Sequence, residues 1–246
     1  MNRNNRERLR IAAALLAVGP ASACVPVAAG GPASAPTGAV APTPAQTRSG
    51  CCTALERDVL DALNRARTDP AGFANELEAR LPHYRRSIYR APGAAVGVRT
   101  VEGASAVTEA VRVLRATRPL PPLRFSRGMS AAAADHVRDQ GPRGGLGHTG
   151  RDRSTAPERV SRYGRWFGVV SENIQYGAAT TGRDVVADLV IDDGVAARGH
   201  RRNILDPVIR VAGVACGPHA SYTQMCVIVH AADFAEAATA RPAPGR

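Results

Sequence analysis

The sequence predicts an α+β domain, with an antiparallel sheet covered by helices. Three observations carry this. Apolar residues recur at helical spacing over residues 54–81, 104–116 and 126–140. Residues 168–176 form a strand-like apolar run. Residues 211–216 and 222–229 read as two more strands joined by the turn Gly217-Pro218-His219-Ala220-Ser221. The 246 residues suffice for one good-sized core, and with aromatics at only 4% that core must be aliphatic.

The N-terminus reads as an export address. Arg3, Arg6, Arg8 and Arg10 precede the apolar run 11–18, and Ala21-Ser22-Ala23 follows as an A-x-A cleavage site. The apolar run is too short to span a bilayer. Residues 1–23 are therefore expected to be a signal peptide, and the protein secreted or periplasmic. Cys24 follows directly and is a candidate for lipidation, with free secretion as the alternative. Five cysteines is an odd number for an exported chain, and lipidating Cys24 leaves four. Residues 24–52 are rich in Pro, Ala and Gly with no hydrophobic period and are expected to be a linker. Residues 53–234 are the predicted folded domain, and 235–246 a frayed tail.

Within the domain, Leu55, Val59, Leu60, Leu63 and Ala66 stripe the first helix, which Asp69-Pro70 is placed to break. Residues 82–103 show no period and are expected to loop. Val107, Val111 and Leu114 share one face of the second helix; Met129, Ala132, Ala133, His136 and Val137 lie on the third. Thr155-Ala156-Pro157-Glu158 is a capping box opening a short fourth helix that ends near Tyr163. Residues 183–191 form a fifth. A hairpin centred on Ser221 sets Cys216 opposite Cys226, at the separation a disulfide needs. Cys51 and Cys52 are left without an assigned pairing.

All 32 cationic residues are Arg, and the formal charge is +11. The Arg residues are scattered among Asp and Glu, with no cluster and no aromatic interleaving, which argues against nucleic-acid binding. Removing residues 1–23 takes away four Arg and one Glu and leaves +8.

Several positions stand out chemically. His148 lies between Gly147 and Thr149-Gly150, where glycine lets the backbone turn tightly and aim an imidazole. Glu172 sits inside an apolar strand, so its carboxylate needs a partner: a histidine, an arginine or a metal. His200 precedes Arg201-Arg202-Asn203. Asp192-Asp193 stand before Gly194, where turn chemistry is the ordinary explanation. His136 and Asp139 lie three apart on one helical face and are expected to meet. His219 and His230 have no evident partner. Ser154 and Ser171 lack a G-x-S-x-G signature, and no nucleophile–base pair is legible.

Glu172-Asn173-Ile174, Gly199-His200-Arg201 with Asn203-Ile204-Leu205, and Tyr222-Thr223-Gln224 resemble the signature blocks of the CAP superfamily: cysteine-rich secretory proteins, antigen 5 and plant pathogenesis-related proteins. Asn64-Arg65-Ala66-Arg67 and the Ala-rich helix before His148 fall in the expected order. The bacterial, SCP-like branch is the nearer likeness, through Gly-His-Arg-x-Asn-Ile-Leu. The resemblance implies a three-layer α–β–α sandwich with a central cleft. It implies a divalent-metal site there, zinc by donor chemistry. His148 and Glu172 match the first histidine and glutamate. Asp192 stands in the second acidic position. Ser221 occupies the place of the usual second histidine, and His200 is its substitute. The function this implies is an exported CAP domain binding a metal and a lipid or peptide ligand, taken as a monomer. Two rivals are a metal-dependent hydrolase, with Glu172 or a zinc-bound water as base, and an envelope interaction module with a vestigial cleft. Whether the chain is an enzyme is left open.

Overall fold

The computed structural model describes residues 52–238. The expected signal peptide, Cys24, Cys51 and nearly all of the linker lie outside these residues.

Helix α1 (Ala54–Thr68) opens with a Thr53/Glu56 capping box, and Val59, Leu63 and Ala66 are fully buried. Asp69 ends it and caps the next helix, accepting from the Gly72 amide at 2.8 Å. Pro70 begins α2 (Pro70–Glu78), where its missing N–H costs nothing. The stretch expected to loop carries a small antiparallel sheet, β1 (Tyr84–Arg85), β2 (Ile88–Tyr89) and β3 (Val98–Arg99). Two-residue strands are too short to show a period, so the pattern could not reveal them. Helix α3 (Ala104–Ala116) follows. Strand β4 (Arg124–Phe125), helices α4 (Arg127–Gln140) and α5 (Ala156–Ser161), and strand β5 (Gly164–Gly177) come next. The chain ends with α6 (Gly182–Ile191), α7 (Gly199–Ile204), β6 (Val211–His219) and β7 (Thr223–Glu236).

The main sheet runs β4-β6-β7-β5. Its three long strands are antiparallel, and the short β4 joins in parallel. Along β7 the side chains alternate. Cys226 and Ile228 face the helices α1, α2, α3 and α6, whereas Met225, Val227, Val229 and Ala231 face α4 and α5. The result is a three-layer α–β–α sandwich with an aliphatic core on each side. Each buried Val, Leu or Ile contributes about 1.5–3 kcal/mol. The layers press closely. A Cβ at Gly213 would come within 2.3 Å of α4 backbone, and one at Gly182 within 2.1 Å of α1 backbone.

The hairpin register is centred on Ser221, with Cys216 opposite Cys226 and a disulfide between them. Residues 235 and 236, expected to belong to a frayed tail, lie in the sheet. β7 runs through Ala235 to Glu236, and the Glu236 carboxylate accepts from Ser126 Oγ (2.8 Å) and the Arg127 and Gly128 amides (3.0 and 2.8 Å). A carboxylate at a helix N-terminus satisfies orphan donors, and this anchors a stretch whose composition suggests fraying.

Candidate functional site

His148 is carried by the glycine-rich 141–150 loop, and the loop is clamped from three elements. Gly147, at φ 89°, takes a left-handed conformation suited to glycine. Its carbonyl accepts from His136 Nε2 (2.9 Å) and Gln140 Nε2 (2.7 Å), and its amide donates to the Tyr176 hydroxyl (3.0 Å). Tyr176 in turn donates to Gln140 Oε1 at 2.9 Å. His219, at the hairpin tip, donates from Nε2 to the Gly145 carbonyl (2.8 Å), while its Nδ1 accepts from the Ser221 and Tyr222 amides. His219 thus has the partner its sequence context did not disclose. His136 and Asp139, expected to meet, do not. His136 serves Gly147, and Asp139 pairs with Arg143 and accepts from the Arg151 amide. Backbone groups in the loop outbid the side chain one turn away.

Held this way, His148 donates from Nδ1 to Glu172 Oε1 at 3.0 Å. Glu172 lies on β5 with its side chain only 2% exposed. Its other oxygen accepts from Arg159 Nη2 at 2.7 Å. Arg159, itself 2% exposed, also donates to the Ser154 and His148 carbonyls (2.7 and 3.2 Å). Burial alone would raise the Glu172 pKa. The His148 hydrogen bond and the Arg159 charge outweigh it and hold the carboxyl below its ordinary range.

A second pair forms at the α6–α7 connection. Asp192, in the left-handed conformation that ends α6, is 1% exposed at its side chain. His200 Nδ1 donates to Asp192 Oδ1 at 2.6 Å, and the amides of His200 and Arg201 donate to Oδ2 at 2.9 and 3.3 Å. Asn173, next to Glu172, leaves the opposite face of β5. It donates to the His200 carbonyl (3.0 Å) and accepts from Asn203 (2.8 Å). The connection is fixed from outside by Arg198, which binds Glu109, Glu102 and the Asp192 carbonyl. Asp193 accepts from the Val101 and Glu102 amides at 2.6 and 2.8 Å.

The four expected metal ligands therefore assemble two by two rather than as one donor set. Among the described residues no group of three or more His, Cys, Asp or Glu is placed to hold an ion. Strand alternation is the reason on one side: Glu172 follows α5 while its neighbour Asn173 serves α7. On the other, each carboxylate oxygen of Glu172 and Asp192 is already engaged, by an imidazole, by the Arg159 guanidinium or by the α7 amides. The donor chemistry fits a different arrangement. Each imidazole has Nδ1 on a carboxylate and Nε2 without a protein partner among the described residues, the tautomer of a metal-binding histidine backed by a second carboxylate layer. The His148 and His200 side chains are 55% and 25% exposed.

Two features escaped the sequence reading. Arg159 is one; its signal was an arginine beside Ala156 and Val160 on the buried face of a short helix, which demands a buried acid. The other is the burial of His230, which the sequence left without a partner and the structure also leaves so. The side chain is fully buried with both ring nitrogens unpartnered, and lies opposite Ser171, whose Oγ is also unpartnered. Ser171 and His230 make no hydrogen bond to each other, so they do not form a nucleophile–base pair. Burial, together with the Arg67 charge, pushes His230 down to about 3.

The profile of the CAP, or cysteine-rich secretory protein, family matches residues 60–230. Among curated proteins none matches this sequence. Among the solved structures similar to this chain are two bacterial surface or extracellular proteins. One is an outer surface protein from Borrelia burgdorferi, 15% identical, covering 46% of this chain and 78% of that one, with a TM-score of 0.39. The other is an extracellular protein containing an SCP domain from Bacillus anthracis str. Ames, 19% identical, covering 51% of this chain and 37% of that one, with a TM-score of 0.37. No helix among the described residues is long and apolar enough to cross a membrane.

Proposed function

Given that the chain belongs to the CAP, or cysteine-rich secretory protein, family, we propose that it is an exported binding protein whose cleft takes a divalent cation through His148 and His200. One observation carries this reading: each imidazole is oriented by a carboxylate at Nδ1, which leaves a lone pair on Nε2. Glu172 and Asp192 act behind the imidazoles and not as direct ligands. When bound, the cation supplies a positive centre with open coordination positions, to which a lipid headgroup or a peptide carboxylate of the envelope attaches. Zinc suits neutral imidazoles best. The basic N-terminal address, with Cys24 acylated or released, supports a location outside the cytoplasm, and the +8 charge left after removal of residues 1–23 favours an anionic surface there.

Isothermal titration of the full chain with zinc tests this. Wild type is expected to bind one equivalent, and His148→Ala and His200→Ala are each expected to lose most of the heat. Equal heats in all three proteins would falsify the reading.

A further inference from the structure

Both histidines of the cleft are tied to one strand, through neighbouring residues. His148 Nδ1 bonds Glu172 Oε1 at 3.0 Å. His200 is held by Asn173, whose Nδ2 donates to the His200 carbonyl at 3.0 Å. The two anchors are consecutive in β5, so a single trans peptide, about 3.8 Å from Cα to Cα, separates them. Their side chains leave opposite faces of the strand. β5 is the last strand of the main sheet, so the two histidines come to its edge from opposite sides.

Asn173 has the features of a fixed anchor. It is fully buried, and its backbone is locked in register opposite Ile228 of β7. Its Oδ1 accepts from Asn203 Nδ2 at 2.8 Å, which turns the amide so that Nδ2 faces the His200 carbonyl. Other supports of this segment lead away from His148. Asp192 ends α6, Arg198 reaches Glu102 and Glu109, and Arg67 of α1 donates to the Ile204 carbonyl at 2.8 Å. These fix His200 to α6, α3 and α1. Asn173 fixes it to the strand that carries Glu172.

Zinc–imidazole bonds are about 2.0–2.1 Å long, and a working site keeps them within about 0.2 Å. The spacing of the two rings therefore matters as much as the aim of each. We propose that Asn173 is a positioning residue that sets this spacing, holding His200 at a fixed place relative to His148. Its use to the protein rests on the cation reading above, but the spacing itself does not depend on an ion.

Two variants of the full chain test the role. Asn173→Asp keeps the shape and the acceptor for Asn203 but loses the donor to His200. Asn203→Ala keeps Asn173 but frees its amide to turn. Residual dipolar couplings, measured with a chelator present, read the spacing. In both variants the α7 amides are expected to change orientation relative to β5 and β7, with residues 141–150 unchanged. The Nδ1–H proton signals of His148 and His200 are expected to persist, because each ring keeps its carboxylate. Zinc titration is expected to show affinity about tenfold weaker in both variants, the loss expected for one hydrogen bond. Unchanged couplings in both variants overturn the proposal, whatever zinc does. So does loss of the Nδ1–H signals in both, which marks general loosening, or a shift of α7 that leaves histidine-dependent zinc affinity as it was. A wild type that takes up no zinc, with α7 displaced in the variants, defeats the cation reading and leaves the spacing role standing.

Discussion

Glu172 and Asp192 are both nearly enclosed carboxylates, and each accepts from an imidazole Nδ1, but their remaining oxygens are satisfied by different means. Glu172 relies on the side chain of Arg159, brought in by α5. Asp192 relies on two backbone amides at the start of α7, with side-chain ion pairs only at the periphery. A pair completed by one buried guanidinium depends on that residue alone. A pair completed by backbone depends on the path of the chain, which several partial contacts hold in common. The two halves of the cleft should therefore fail differently when their supports are removed.

The largest difference is expected at Arg159. Arg159→Met removes the guanidinium paired with the buried Glu172 carboxylate and should cost about 3–5 kcal/mol. Urea denaturation at neutral pH measures it, with the midpoint falling and the slope unchanged. A loss under about 1 kcal/mol would mean that solvent already reaches Glu172, and the contrast would be lost.

How much of this was legible beforehand follows the same division. Elements set by period were legible: the stripe of α1, the faces of α3 and α4, and the hairpin whose centre at Ser221 fixed Cys216 opposite Cys226. So was the family, through short blocks such as Glu172-Asn173 and Gly199-His200-Arg201. The two-residue strands β1 to β3 were not, because no period exists over two residues. Helix α7 was missed because six residues opening on glycine resemble a loop. Which acid serves which histidine was not legible either. That depends on strand alternation at Glu172 and on αL geometry at Asp192, and both are tertiary facts.

The second expectation concerns His230, which senses both halves: Glu172 and His200 both lie in its electrostatic environment, besides the Arg67 charge. Its ordinary pKa near 6.5 falls to about 3 on folding. The unfolded chain therefore binds the proton more readily across this window. Stability is fully present above about pH 6.5 and declines as pH drops towards 3, by up to about 1.4 kcal/mol per pH unit. Glu172, also depressed, acts in the same direction at lower pH. Thermal melts from pH 7 to pH 4 should show this fall, and His230→Leu should flatten it. An equal slope in the variant would assign the acid sensitivity to the carboxylates alone.

The smallest effect is expected at Arg198, on the Asp192 side. This arginine pairs with Glu102 and Glu109 and donates to the Asp192 carbonyl, so its removal loosens the connection that carries His200. The network is partly exposed, and the two amides on Asp192 Oδ2 remain in place. Arg198→Ala should therefore cost only about 1 kcal/mol at neutral pH. That cost should vanish in acid. The Arg198 hydrogen bond, against the opposing effect of burial, and the Gly194 amide hold Glu102 down to about 2. A carboxylate depressed in the folded state contributes stability above its unfolded pKa, near 4.5, and loses it as pH falls through the folded value. Wild type and variant should thus converge between about pH 4.5 and pH 2. A cost at neutral pH as large as that of Arg159→Met would show that Asp192, too, hangs on a single side chain. The distinction between a carboxylate held by a buried cation and one held by backbone would then fail.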